Sequence, residues 1–103
     1  MLNIFNSIPS EIPNELFEDI IKTESLRIER IVSKGHTSPD VGWYDQEENE
    51  WVIVLSGYGV IEYFSGVKVS LKQGDYVNIK ANEKHRVVET SPNEPTVWLA
   101  IFY

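Results

Sequence analysis

Apolar and polar positions along this chain alternate in short runs broken by turn residues. Residues 26–32, Leu-Arg-Ile-Glu-Arg-Ile-Val, alternate imperfectly and read as a strand. The stretch from Gly35 to Gly42 reads as a loop, punctuated by Pro39. Trp51 to Leu55 is an apolar run that Gly57-Tyr58-Gly59 turns back into Val60 to Phe64. Ser65-Gly66 turns again into Val67 to Leu71, and Gly74-Asp75 leads into Tyr76 to Ile79. A polar loop, Ala81 to Lys84, precedes Arg86 to Glu89, and the loop from Ser91 to Pro95 precedes a last strand, Thr96 to Tyr103. About seven short strands at this spacing predict an antiparallel sandwich or barrel. The N-terminal part reads differently. Its first dozen residues, with Pro9 and then Pro13, predict an extended arm. Leu16, Phe17, Ile20 and Ile21 follow at i, i+1, i+4 and i+5, with Glu15, Glu18 and Asp19 among them, and predict a short helix.

Length and charge narrow the possibilities. At 103 residues the chain suits a single domain, with the arm and helix in 1–24 and the barrel in 25–103. Nine basic against 16 acidic side chains leave a net charge of -7, and the pI is near 4.7. That balance argues against nucleic-acid binding, which needs clustered Lys and Arg, and against an anionic membrane surface. The absence of cysteine excludes disulfides, thiolate nucleophiles and thiolate metal clusters. No basic leader and no run of ~20 apolar residues is visible, so a soluble, cytoplasmic protein is expected. Gly-x-Ser-x-Gly is absent, and Gly57-Tyr58-Gly59 lacks the third glycine and helix of a nucleotide loop.

Two segments carry the candidate chemistry. The first runs from Glu50 through Trp51-Val52-Ile53-Val54-Leu55-Ser56 to Gly57, the second from Gly74 through Asp75-Tyr76-Val77-Asn78-Ile79-Lys80-Ala81-Asn82-Glu83-Lys84 to His85. Together they resemble the paired motifs of the cupin family, with Lys80 where a Pro is usual and Asn82 where a Gly is usual. Asn tolerates the left-handed conformation that a glycine would supply. The resemblance spans roughly residues 26–103 and implies an all-β, double-stranded β-helix (jelly-roll) barrel. It also implies a homodimer formed through edge strands, one of which the apolar arm residues Ile4, Phe5, Ile8 and Ile12 could cover.

The His-x-His pair that usually precedes the Glu of the first motif is missing. Its positions fall on Trp43 and Asp45, or on Tyr44 and Gln46, depending on the gap. The surrounding Trp43-Tyr44-Asp45-Gln46 resembles a subgroup of small cupins without a settled activity. By resemblance Glu50 and His85 match the family's metal ligands, and Asp45 is a substitute at a third position. One imidazole with two carboxylates is an admissible shell for Zn²⁺, Mn²⁺ or Fe²⁺. The function expected is therefore binding of a divalent metal and a small polar ligand or substrate inside the barrel. Two alternatives stay open: a metal-free binding or sensing barrel in which Glu50 and His85 act as hydrogen-bonding or acid–base groups, and a purely structural or interaction protein. In the blander reading of single residues, Glu50 pairs with Arg27, Arg30 or Arg86. Trp43, Trp51 and Trp98 then serve as core or interface anchors, and His36 is an exposed loop residue.

Overall fold

A computed structural model describes residues 2–103. Its elements are eight strands: β1 (Leu16–Lys22), β2 (Arg27–Ser33), β3 (Glu50–Ser56), β4 (Tyr58–Tyr63), β5 (Lys68–Lys72), β6 (Tyr76–Ile79), β7 (His85–Thr90) and β8 (Thr96–Phe102). They form a five-stranded sheet in the order β1-β2-β8-β3-β6 and a three-stranded sheet in the order β5-β4-β7, and every pairing is antiparallel. The seven strands expected from the pattern correspond to β2–β8, with ends within two residues. No helix among the described residues is long and apolar enough to cross a membrane.

The expected N-terminal helix is instead strand β1, paired along β2 from Leu16 opposite Val32 to Lys22 opposite Arg27. A bulge between Asp19 and Ile21 explains the misleading pattern. One extra residue, Ile20, slips the period-2 alternation, so that apolar residues fall at helix-like intervals. β1 is also almost entirely exposed, so no one-sided burial stamps a clean alternation on its sequence. The arm before it lies on the outer face of this sheet rather than along an edge. There the buried Arg30 donates from Nη1 to the carbonyls of Ile4 (3.0 Å) and Asn6 (2.6 Å), and from Nη2 to Glu18 (2.7 Å).

Cross-strand register builds the inner face in rows. Arg27, Phe102, Glu50 and Ile79 form one row across β2, β8, β3 and β6. Glu29, Ala100, Val52 and Val77 form the next, and Ile31, Trp98 and Val54 the one after. Successive side chains alternate faces, so each row points the same way. The apolar members join Ile61 and Leu71 of the smaller sheet in the core. Gly59 lets the sheets close on Trp98, because a Cβ there would stand 2.2 Å from the indole ring. Asn82, in the position usually held by glycine, has φ +63° and so adopts the left-handed turn expected of it.

Candidate functional site

The two motif residues meet across the barrel. Glu50 opens β3 in the larger sheet, and His85 opens β7 in the smaller one. Both are buried, and His85 Nε2 lies 3.2 Å from Glu50 Oε1. The other ring nitrogen, Nδ1, is 2.8 Å from the Glu83 carbonyl oxygen. A carbonyl only accepts, so Nδ1 carries a hydrogen. A neutral ring would then turn a bare Nε2 lone pair toward the carboxylate. The contact is therefore attractive only when a positive charge sits between the two groups, either as a proton on Nε2 or as a bound cation. Burial by itself would lower the His85 pKa from its ordinary 6.5. The hydrogen bond to Glu50, helped by the one to the Glu83 carbonyl, outweighs burial and raises it.

The loop between β2 and β3 supplies the rest of this wall. Ser38 exchanges backbone hydrogen bonds with Val87 (3.0 and 2.8 Å), and Tyr44 does so with His85 (2.8 and 3.1 Å), so the loop runs antiparallel beside β7. Tyr44 and Gln46 line the cavity, while Asp45 between them is exposed and lies outside it, as alternation requires. The Gln46 amide donates to Glu50 Oε1 at 3.1 Å. The Tyr44 ring lies 5.6 Å from the imidazole. Burial holds its phenol above the ordinary 10.0, against a lowering hydrogen bond with Ser38, so it stays protonated.

Of the expected metal residues Asp45, Glu50 and His85, the structure thus brings together the last two. Among the described residues no cluster of three His, Cys, Asp or Glu side chains is arranged to hold a metal ion. Two protein ligands fall short of the three or four of a zinc site. None of the three arginines binds Glu50. Arg86 pairs with Glu62 (2.7 Å) over the face of Trp43, Arg30 is on the outer face, and Arg27 lies 3.7 Å from both Glu29 and Glu48. Trp98 is a core residue that also walls the cavity, whereas Trp51 packs at a tilt on Tyr76 and Trp43 meets Phe64 edge to face.

The cavity between the sheets has a volume of about 170 Å³. Its lining includes Ile31, Val52, Ile79, Val87 and Phe102, so most of it is hydrocarbon. Polar groups enter at a few points, and two of them, Glu15 and Glu29, are not legible from the sequence. Burial raises the Glu29 pKa from 4.5 against the lowering influence of Arg27, with Asp19 and Glu50 adding to the rise. Glu29 sits in a strand with charged residues on both faces, which hides its inward orientation. His36 is a structural tie: Nδ1 accepts from the Lys34 amide (2.8 Å), and Nε2 faces the Pro13 carbonyl (3.2 Å). It lines a depression at the mouth that shares Glu15, Phe17, Ser38 and Tyr44 with the cavity.

Two facing antiparallel sheets with a carboxylate and an imidazole meeting between them define a double-stranded β-helix barrel with an internal site. The sequence pattern of the cupin domain family (Cupin_2) matches residues 30–102. The chain belongs to that family. Among solved structures, it resembles a Ralstonia eutropha JMP134 protein provisionally named a mannose-6-phosphate isomerase. The two share 39% identity over 99% of this chain and 95% of the other, with a TM-score of 0.93. A cupin superfamily protein of Desulfitobacterium hafniense DCB-2 shares 17% identity over 92% and 82% of the two chains (TM-score 0.76). An RmlC-like cupin of Methanocaldococcus jannaschii shares 15% over 92% and 84% (0.73). These last two speak for the fold alone. No curated protein matches the chain.

Proposed function

We propose that this cupin binds a small polar molecule in the barrel and that Glu50 and His85 hold one shared proton for it. The carrying observation is the Nδ1–H donated to the Glu83 carbonyl, which leaves Nε2 and Glu50 to share a positive charge. A pair built this way exchanges a proton with a ligand carbonyl, hydroxyl or acidic C–H at low cost, since either partner can hold it. Tyr44 and Gln46 beside the pair supply further donors to a ligand oxygen. If the chain turns its ligand over, carbonyl isomerisation is the reaction class that such proton removal and return would serve, and the Ralstonia neighbour's name is of that class. Small-molecule fractions of a cell extract, screened by thermal shift on wild type and His85→Ala, test the reading. A fraction that stabilises wild type alone supports it; equal stabilisation of both proteins, or of neither, refutes it.

A divalent cation in the proton's place is the second reading. One observation favours it: an imidazole that donates Nδ1–H to a carbonyl and points Nε2 at a carboxylate is oriented as a metal ligand would be. With two protein ligands we route no step through a metal. Elemental analysis of untagged protein beside His85→Ala separates the readings: stoichiometric zinc, iron or manganese lost in the variant favours the cation.

We also propose a homodimer. β1 is the free edge of the larger sheet, and its Phe17, Ile20 and Ile21 are about half exposed, at 48–50%. An exposed apolar edge of this kind is covered in most soluble proteins.

A further inference from the structure

The cavity has a lopsided charge. Glu15, Glu29 and Glu50 line it, and Arg27 is the one permanent cation among its lining residues. Arg27 is already engaged, with Glu29 and Glu48 each 3.7 Å away and the Phe102 ring 4.1 Å below its guanidinium. His85 has both ring nitrogens occupied. The depression at the mouth adds Asp40 to Glu15 and contributes no lysine or arginine. An anionic ligand would pass two carboxylates, find the one guanidinium already flanked by Glu29 and Glu48, and come to rest facing Glu29 and Glu50 where little water screens the repulsion.

A hydroxyl meets the opposite reception. Tyr44 and Gln46 line the cavity beside the Glu50–His85 pair, so donors and carboxylate acceptors both border the space. A hydroxyl can accept from such a donor and donate to a lining carboxylate, whereas an anionic oxygen can only accept and opposes Glu29. The rest of the space suits carbon. Its volume of about 170 Å³ is slightly above the ~150 Å³ that admits a benzene ring.

We infer that the cavity selects a small uncharged molecule, a compact apolar body bearing a hydroxyl group, and rejects the corresponding anions, carboxylates and phosphate esters included. This rests on the proposed reading of the cavity as a ligand site and adds the class of ligand. Benzyl alcohol and benzoate share a ring and differ in the charge of one polar group, so they are suitable probes. Each is titrated at neutral pH into the ¹⁵N-labelled full chain, and the Trp98 indole N–H in the cavity wall is followed. The expected result is a saturable shift with the alcohol and binding of benzoate roughly tenfold weaker or undetectable. In Glu29→Gln that ratio should narrow. Benzoate binding as tightly as the alcohol overturns the selection and leaves the ligand site standing. A ratio unchanged in Glu29→Gln traces the preference to overall charge and also overturns it. If neither probe moves the Trp98 signal, the inference falls together with the reading of the cavity.

Discussion

Replacing Glu50 with glutamine keeps the size of the side chain and removes its charge. The change acts on one contact, the 3.2 Å approach of His85 Nε2 to Glu50 Oε1, buried between the sheets. A hydrogen bond to a charged partner in such a setting contributes about 1.5–3 kcal/mol. In a domain of this size each kcal/mol moves the melting temperature by about 4–8 °C. Glu50→Gln should therefore melt roughly 6–24 °C below wild type at acidic pH, where His85 is protonated.

The sign of the pH dependence distinguishes a shared proton from simple packing. The folded-state pKa of His85 is raised above its ordinary 6.5, so its contribution is fully present below that value. It is lost as pH rises through the raised folded value. Above that, wild type faces a bare nitrogen with a carboxylate, whereas a glutamine amide can turn and donate to it. The deficit of Glu50→Gln should shrink with rising pH and then close or reverse. Melting curves at a series of pH values, paired with NMR titration of the His85 ring, measure this. In the variant, burial should dominate and bring the His85 pKa below 6.5. A deficit that is constant across the series, or a His85 titration indifferent to residue 50, would refute the shared proton.

Other perturbations test other parts of the structure. Gly59→Ala puts a methyl group 2.2 Å from the Trp98 ring and should cost at least about 1–3 kcal/mol, read in denaturant melts together with altered Trp fluorescence. Glu29→Gln removes a carboxylate whose pKa is raised chiefly by burial; it should match or exceed wild-type stability at neutral pH, and the two should converge as acid protonates Glu29 in the wild type. Light scattering at micromolar concentration should give twice the 11.9 kDa chain mass, and Ile20→Lys with Ile21→Lys should return a single chain; a monomeric wild type would end the dimer proposal.

What the sequence reveals here follows from what burial enforces. β3 and β8 are gripped on at least one face by the core, so their apolar runs and flanking turns are visible from composition alone. β1 is gripped on neither face, and its bulge at Asp19–Ile21 erases the remaining period. The Glu50–His85 encounter was legible because motif spacing fixes it, although 35 residues separate the pair. Glu15 and Glu29 were not, since no local pattern reports which charged residue of a mixed strand turns inward. The third member of the site depended on parity. The loop lies beside β7 with Tyr44 and Gln46 inward, and a shift of one residue would have presented Asp45 instead.

That parity has a chemical consequence. In the family's usual pattern, imidazoles stand near the positions that Tyr44 and Gln46 occupy here, and they bind a metal through nitrogen lone pairs. A protonated phenol and an amide N–H are donors, and the Gln46 amide points at Glu50 Oε1, the same oxygen that faces His85. Two donors thus converge on one carboxylate oxygen when Nε2 carries the shared proton. On the proposed reading, donor residues around the retained glutamate and histidine suit a barrel that handles protons on a neutral, hydroxyl-bearing ligand.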